Sequence, residues 1–380
     1  MTAPRYVTQN GKRLRCGYTT GSCATAAAKA ATLMLLSGQP VSSVDLITPT
    51  GVELVLDVAD ATLGEGTASC VVRKDAGDDP DVTDGVMVYA SVCKTESGIT
   101  IDGGEGIGRI TKPGLDQPVG AAAINSVPRR MITEEITAVC SQYGYTGGLA
   151  VTLSIPDGAE LAGRTFNPRM GIEGGLSIIG TTGIVTPMSS QALVDTIRLE
   201  LRQLAARGIR DVLLTPGNYG EAFARDVLGL SLDAHISCAN FIGDAIDAAL
   251  QEGFTRLLLV GHIGKLVKLG IGMTNTHSSQ GDGRIETLTA CALEAGADLP
   301  LLREIPGCVS VDAALALLND AGLLRETMRL LGTRIDGCLR RRVPDGIDIG
   351  YVCFTNAEKF GGVLSQSANA AELMRIWRKS

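Results

Sequence analysis

The rhythm of the chain changes near Pro187, and no other feature limits the fold as strongly. Beyond that point short apolar runs alternate with long helical patterns. Ser189–Arg207 reads as a helix, Asp211–Thr215 as a strand, Gly220–Leu228 and Cys238–Glu252 as helices, and Arg256–Gly261 as a second strand. A helix at Arg284–Ala295 and two more between Val311 and Arg342 precede a strand at Asp348–Phe354. Strands separated by helices of ten or more residues predict a parallel sheet with crossover helices. Before the change, strands at Val44–Thr48, Val52–Val58, Ser69–Arg73, Val86–Cys93, Ile99–Asp102, Ile107–Thr111 and Gly148–Ile155 are joined mostly by turns. Helices are expected at Ser22–Leu36, where alanine dominates and Gly38 marks a stop, and from Pro128, with Met131, Ile132, Ile136 and Val139 on one face. Hairpins with a few covering helices predict an α+β domain over 1–190, followed by an α/β domain with a parallel sheet over 191–380.

Composition narrows the function. Lys and Arg number 34 against 41 Asp and Glu, a net charge of −7, and aromatic residues make up 4% of the 380. A nucleic-acid binder needs a basic face or a stacking platform, so nucleic acid is excluded as a partner. The basic residues Arg5, Lys12, Arg13 and Arg15 precede an alanine-rich stretch, but Lys29 interrupts it, and the apolar run Gly174–Gln191 is broken by Pro187. Neither is a signal peptide or a membrane span, so the expected location is the cytoplasm, with no membrane partner. Ten scattered cysteines with no CxxC pair read as reduced core thiols, and no metal site is expected.

Candidate chemistry sits in a few polar, glycine-rich segments. The glycines at 103, 104, 106 and 108 invite a dinucleotide-loop reading, but Lys112-Pro113-Gly114 follows where a helix should begin. A glycine hairpin that lets the backbone approach a ligand is the expectation. Gly261-His262-Ile263-Gly264-Lys265 follows a strand but lacks the spacer and the hydroxyl residue of a P-loop, and Thr215-Pro216-Gly217-Asn218 ends another strand in the same way. Two such loops side by side would form a crevice at the carboxyl edge of a parallel sheet, where such folds bind ligands. The acidic run from Lys74 to Asp81 serves either as a solvated turn or as a site whose carboxylates act as a base. His277, in the polar segment Thr274–Ser278, caps a turn or handles a proton.

Taken together these segments resemble a known family. RLRCGYTTGSCATAAAKAA (13–31), VRKDAGDDPDVT (72–83), GEGIGRITKPGL (104–115), TFNPRMGI (165–172), GTTGIV (180–185), TPGN (215–218), GHIGKLVK (261–268) and NTHS (275–278) resemble, in order, the cobalt-precorrin-5B C-1-methyltransferase family, CbiD. Asp84 and Ala121-Ala122 depart from the family's pattern and are not carried over as catalytic. The resemblance implies methyl transfer from S-adenosylmethionine to C-1 of cobalt-precorrin-5B, giving cobalt-precorrin-6A in anaerobic cobalamin synthesis. The cobalt is then carried by the substrate. It also implies an N-terminal domain like ribosomal S5 domain 2, holding the substrate-binding loops, and a C-terminal α/β domain with the donor site. A homo-oligomer and transient contact with neighbouring pathway enzymes are left open.

Because the sulfonium methyl is already activated, the protein mainly aligns donor and carbon nucleophile, an effect worth about 7–11 kcal/mol. The macrocycle's carboxylates call for cations, and Lys74, Arg109, Lys112, Arg129, Arg169, Lys265 and Lys268 are the candidates. Thr215, Gly217, Asn218, Gly261, His262 and Gly264 are expected to hold the donor, with Asn240 and Asp244 on its ribose. Asp75, Asp78 or His277 would take the released proton. Two alternatives remain: a nucleotide-dependent transferase or ligase, suggested by the Gly261–Lys265 loop, and a non-catalytic tetrapyrrole carrier.

Overall fold

In the computed structural model, which describes residues 5–9, 11–360 and 362–378, the chain divides between Ser189 and Ser190 into two units. The first is built on a five-stranded sheet of β1 (Ala59–Gly64), β2 (Thr67–Arg73), β3 (Met87–Thr95), β4 (Ile99–Gly103) and β5 (Gly148–Ser154). Its order is β1-β2-β3-β5-β4. All pairs are antiparallel except β5 with β4, which run in parallel. Helices α1 (Thr20–Ser37) and α2 (Ser126–Gln142) pack together, and α1 lies on β2 and β3.

Local chemistry sets both ends of α1. The Thr19 hydroxyl accepts the Ser22 N–H, and Gly38, at φ 70°, closes the last turn by donating to Met34. Ala24, Ala26, Ala27, Ala28, Ala30 and Ala31 are all fully buried, so the helix can approach the sheet closely. Lys29, the one charge in this stretch, forms ion pairs with Glu135 and Asp45. The Val44 and Val52 strands form the expected hairpin, observed at Ser43–Ile47 and Glu53–Asp57.

The second unit carries a five-stranded sheet in the order β7-β6-β8-β9-β10. Its strands are β6 (Asp211–Thr215), β7 (His235–Ser237), β8 (Arg256–His262), β9 (Asp348–Phe354) and β10 (Val363–Gln366). The first four pair in parallel, as the strand–helix alternation predicts, and β10 adds an antiparallel edge. Helices α3 (Ser190–Ala206), α4 (Ile242–Gln251), α5 (Arg284–Glu294), α6 (Val311–Asp320), α7 (Leu324–Arg340) and α8 (Ala370–Trp377) accompany it. One apolar cluster joins α3 to α7 with one sheet face, and α8 belongs to a smaller cluster with Phe223 and Phe354. Mixed α/β architecture with a parallel sheet is thus the observed class.

Some local expectations change. The helix expected from Cys238 begins only at Ile242, because Cys238 N–H donates to the Thr215 carbonyl and Ala239 adopts a left-handed φ of 48°. The helix expected over Gly220–Leu228 is an α-helical turn at Asn218–Ala222 that widens into a π-helical turn at Phe223–Val227. The glycine cluster is also a different object. A Cβ on Gly106, whose φ is 70°, would run into the Ile155 carbonyl, while Gly158 and Gly175 press against the Gly106 carbonyl. These glycines let three backbone segments cross, and the partner they approach is protein rather than ligand. Of the expected Ile107–Thr111 strand, Arg109–Ile110 pairs with Ile172–Glu173, and Ile107 forms an isolated bridge with Leu176. Seven of the ten thiols are buried.

Candidate active site

The second unit places its candidate residues at a topological switch. From β6 the chain reaches β7 on one side, then crosses to β8 on the other, so the connections that leave the carboxyl ends of β6 and β8 run in opposite directions. Open α/β sheets bind ligands at such a point. The segments expected to form a crevice, Pro216-Gly217-Asn218 and Ile263-Gly264-Lys265, lead from these two strand ends, the second as a helical turn at Ile263–Leu266 instead of the expected loop. They lie together: a Cβ on Gly217, at φ 101°, would sit 3.3 Å from Lys265 Nζ. Gly261 is buried between Pro216 and Leu266, where any side chain would meet both.

Each side chain here has a definable task. Lys265 is half-buried, and its ammonium donates to the Ala239 carbonyl (3.0 Å), leaving two donors free. Burial lowers its pKa from the ordinary lysine value. His262 caps the next turn by accepting the Gly264 N–H at Nδ1 (3.1 Å), so its neutral ring carries the proton on Nε2. Burial lowers its pKa as well. Asp244 stands in the first turn of α4, half-buried, and Asn218 is exposed. Thr215 and Asn240 are framework instead of expected donor contacts. Thr215 is fully buried with its hydroxyl 2.8 Å from His235 Nε2. Asn240 accepts the Thr276 hydroxyl and N–H on its side chain and backbone carbonyl.

Lys268 and His277 also depart from their expected roles. Lys268 is only 4% exposed, and its ammonium donates to the carbonyls of Thr276 (3.2 Å) and Gly281 (2.8 Å). It fastens the 276–281 loop from inside, and no surface is left for substrate. His277 is exposed and caps the Ser278–Gln280 turn, its Nδ1 accepting the Ser279 N–H. That ring nitrogen is thus engaged in capping the turn.

In the first unit the acidic run is a knot of internal hydrogen bonds. Asp75 binds the Arg15 guanidinium through both oxygens (2.5 and 2.8 Å) and accepts the Gly77 N–H. The hydrogen bond from Arg15 is the largest cause holding its carboxyl below the usual range. Asp78 is exposed and accepts the Arg15 N–H (2.6 Å). Asp79 accepts from Met188 N–H and Asp84 from Ala76 N–H. Lys74, expected on the substrate, is buried against the Asp81 carboxylate and the Thr83 hydroxyl (2.8 Å). Burial leaves its charge nothing outside the protein to meet. Gly77, at φ 69°, is required because the backbone of Arg15 and Cys16 passes against it.

The remaining cations gather elsewhere in this unit. Arg109 pairs with Asp102 and donates to the Gly103 carbonyl. Arg129, half-buried, donates to the carbonyls of Ile124 and Ile101 and, among the described residues, has no ion-pair partner. Lys112 donates to the Arg169 carbonyl, and the Arg169 side chain is exposed. The pairing of Arg109–Ile110 with Ile172–Glu173 ties these segments to one another.

Two concavities lie apart from these residues. One, of about 530 Å³, is bordered by Asp282, Ile285, Leu293 and Pro306, and the other, of about 340 Å³, by Asn319, Met328, Phe360 and Leu364. The first carries Asp282 and Glu286 as its charged groups and the second Arg325, whereas the switch point brings Lys265, His262 and Asp244 to the carboxyl edge of the sheet and is the better chemical candidate. Among the described residues no helix is long and apolar enough to cross a membrane.

Comparison with known proteins agrees with the motifs. The CbiD family model matches residues 7–187 and the model of the CbiD C-terminal domain matches 275–363. A protein of Ruminiclostridium cellulolyticum, named cobalt-precorrin-5B C(1)-methyltransferase, is 48% identical over 318 residues, 84% of this chain and 83% of its own. Relatives with the same name are 44% identical in a Thermoanaerobacter species (90% and 93% covered) and 41% identical in Alkaliphilus metalliredigens (98% and 97% covered). A crystal structure of the cobalamin biosynthesis protein CbiD from Archaeoglobus fulgidus is similar at 28% identity and a TM-score of 0.39, covering 72% of this chain and 86% of that one. With both halves matched and such identity along nearly the whole length, the chain belongs to the CbiD family.

Proposed function

We propose that this protein is a C-methyltransferase that methylates C-1 of cobalt-precorrin-5B in cobalamin synthesis, with S-adenosylmethionine as the donor. The observation that carries the reading is 41% identity over 98% of the chain to a relative named for that reaction. The residues at the switch point fit such a donor. The two Lys265 donors that no described residue takes suit a carboxylate, with Gly217 leaving room beside the ammonium, Asp244 suits ribose hydroxyls, and His262 offers an Nε2–H to a base edge. When bound, the donor supplies an activated methyl on a sulfonium. The chain's own residues hold and orient it, so no nucleophilic side chain is needed.

The first unit, with its five-stranded sheet and two packed helices, we read as the ribosomal S5-like domain that holds the substrate. Arg109, Lys112, Arg129 and Arg169 are its contacts for macrocycle carboxylates, with Arg129 foremost because among the described residues it has no ion-pair partner. Cobalt enters as part of the substrate. Asp78 is the proton acceptor of choice, since it is exposed and carries one short bond, whereas Asp75 is held as a weak base by Arg15. Asp75 acts through Arg15 as a positioning residue. The test is corrinoid-dependent formation of S-adenosylhomocysteine on incubation with cobalt-precorrin-5B. Turnover of ATP in place of the donor would favour the nucleotide-dependent alternative, and corrinoid binding without donor binding would favour a carrier.

A further inference from the structure

Aromatic residues are scarce in this chain, 14 in total as 1 Trp, 7 Tyr and 6 Phe. Four rings, three of them aromatic residues and one the His262 imidazole, nevertheless form a continuous series at the carboxyl edge of the second sheet. Phe223 stacks on Phe354 with centroids 3.8 Å apart and planes 6° from parallel. His262 stands edge-on to Phe354 at 5.5 Å, and Tyr219 lies 6.2 Å from His262, tilted by 45°. The series runs from the core outward: Phe354 is fully buried, Phe223 nearly so, His262 half-buried, and Tyr219 is 70% exposed. Tyr219 follows Gly217 and Asn218 directly, so the exposed ring belongs to the helical turn, Asn218–Ala222, that continues the switch-point segment after β6. Its neighbour His262 ends β8, the strand on the other side of the switch. Among the described residues the outer ring is left largely uncovered, although an exposed aromatic costs apolar surface that its buried neighbours do not.

A planar aromatic ligand matches what this arrangement leaves open. Rings stack on base faces with little demand on the identity of the base, and the adjacent His262 ring, held by Gly264 N–H and by Phe354, presents an N–H donor next to that face. We propose that Tyr219 is the stacking platform for the adenine of the methyl donor, with His262 beside it at the edge of the base. This rests on the donor reading above and deepens it by naming the residue that recognises the adenosine half.

The experiment measures equilibrium binding by calorimetry to the full chain and to Tyr219→Phe and Tyr219→Leu. Three probes are used: S-adenosylhomocysteine, 5′-methylthioadenosine, which keeps the adenosine but lacks the amino-acid end, and methionine, which lacks the adenosine. Tyr219→Leu, an apolar change at an exposed position, should weaken both adenosine-containing ligands by on the order of tenfold, while Tyr219→Phe stays within about twofold. Methionine should bind all three proteins alike, which a merely loosened loop would not allow. If S-adenosylhomocysteine binds the parent and Tyr219→Leu equally well, the stacking role is refuted while the donor site survives. If the parent binds none of the adenosine ligands, the donor reading and this inference both fall.

Discussion

Lys74 gives the sharpest quantitative test of how the first unit is built. Its side chain is 2% exposed and its ammonium meets Asp81 and Thr83 among the described residues, while the Asp81 side chain is 25% exposed. Asp81 also accepts the Thr83 N–H and hydroxyl, each at 2.7 Å. Asp81→Ala therefore strands a buried cation and frees two donors. Removing one partner of a buried pair costs about 3–5 kcal/mol, and about 4 kcal/mol is expected here because part of Asp81 is already hydrated. Lys74→Met together with Asp81→Ala should recover most of that loss, ending within about 2 kcal/mol of the parent. Urea unfolding followed by hydrogen exchange in peptides from β2 and β3 isolates the effect to this unit. Burial alone would raise the Asp81 carboxyl, but the Lys74 ammonium and the Thr83 bonds outweigh it and hold the group below its usual range. Its contribution is thus present above the unfolded value near 4 and is lost as pH falls through the lower folded value. A loss under about 1 kcal/mol for Asp81→Ala, or a double variant no better than the single, would refute the internal-pair reasoning.

Other expectations follow from the same structure. Lys268→Met leaves the Thr276 and Gly281 carbonyls without their donor; hydrogen exchange over 275–281 should rise and stability fall by about 2–4 kcal/mol. Gly106→Ala places a Cβ against the Ile155 carbonyl at a φ of 70°, and a loss of about 3 kcal/mol or more should appear as reduced folded yield. The burial-lowered His262 makes the unfolded chain take up a proton first. Second-unit stability should therefore decline as pH falls below about 6.5 and level off below the folded value, and His262→Gln should flatten that slope. Asp78→Asn should cut turnover without changing S-adenosylhomocysteine affinity, whereas His277→Ala should leave turnover within about twofold, because its ring already serves as a cap.

Periodicity made the parallel sheet legible: β6 and β9 begin and end where their apolar runs do. It missed β1, whose six residues are all exposed and carry no alternation, and the three-residue β7. The C-terminal helix α8 went unread although Leu373, Met374 and Trp377 form its buried face. At the site, the loops after β6 and β8 were visible as polar glycine segments following strands. Their closeness needed the strand order, which no local pattern encodes. Lys74 looked like a surface cation because the polar run that follows it hides burial by residues outside its strand, and Lys268, set between Val267 and Leu269, is covered by the 276–281 loop that its ammonium holds. His235, which holds Thr215, gave no signal, since a lone histidine at a strand start resembles any other.

Methyl transfer to one ring carbon is the claim on which the functional account stands, and it can be followed atom by atom. Incubation of the protein with cobalt-precorrin-5B and a donor carrying a carbon-13 methyl should yield a corrinoid bearing one labelled methyl, bonded to C-1 in the carbon spectrum. Label at another carbon, or an unmethylated corrinoid in the presence of a folded, donor-binding protein, would contradict it.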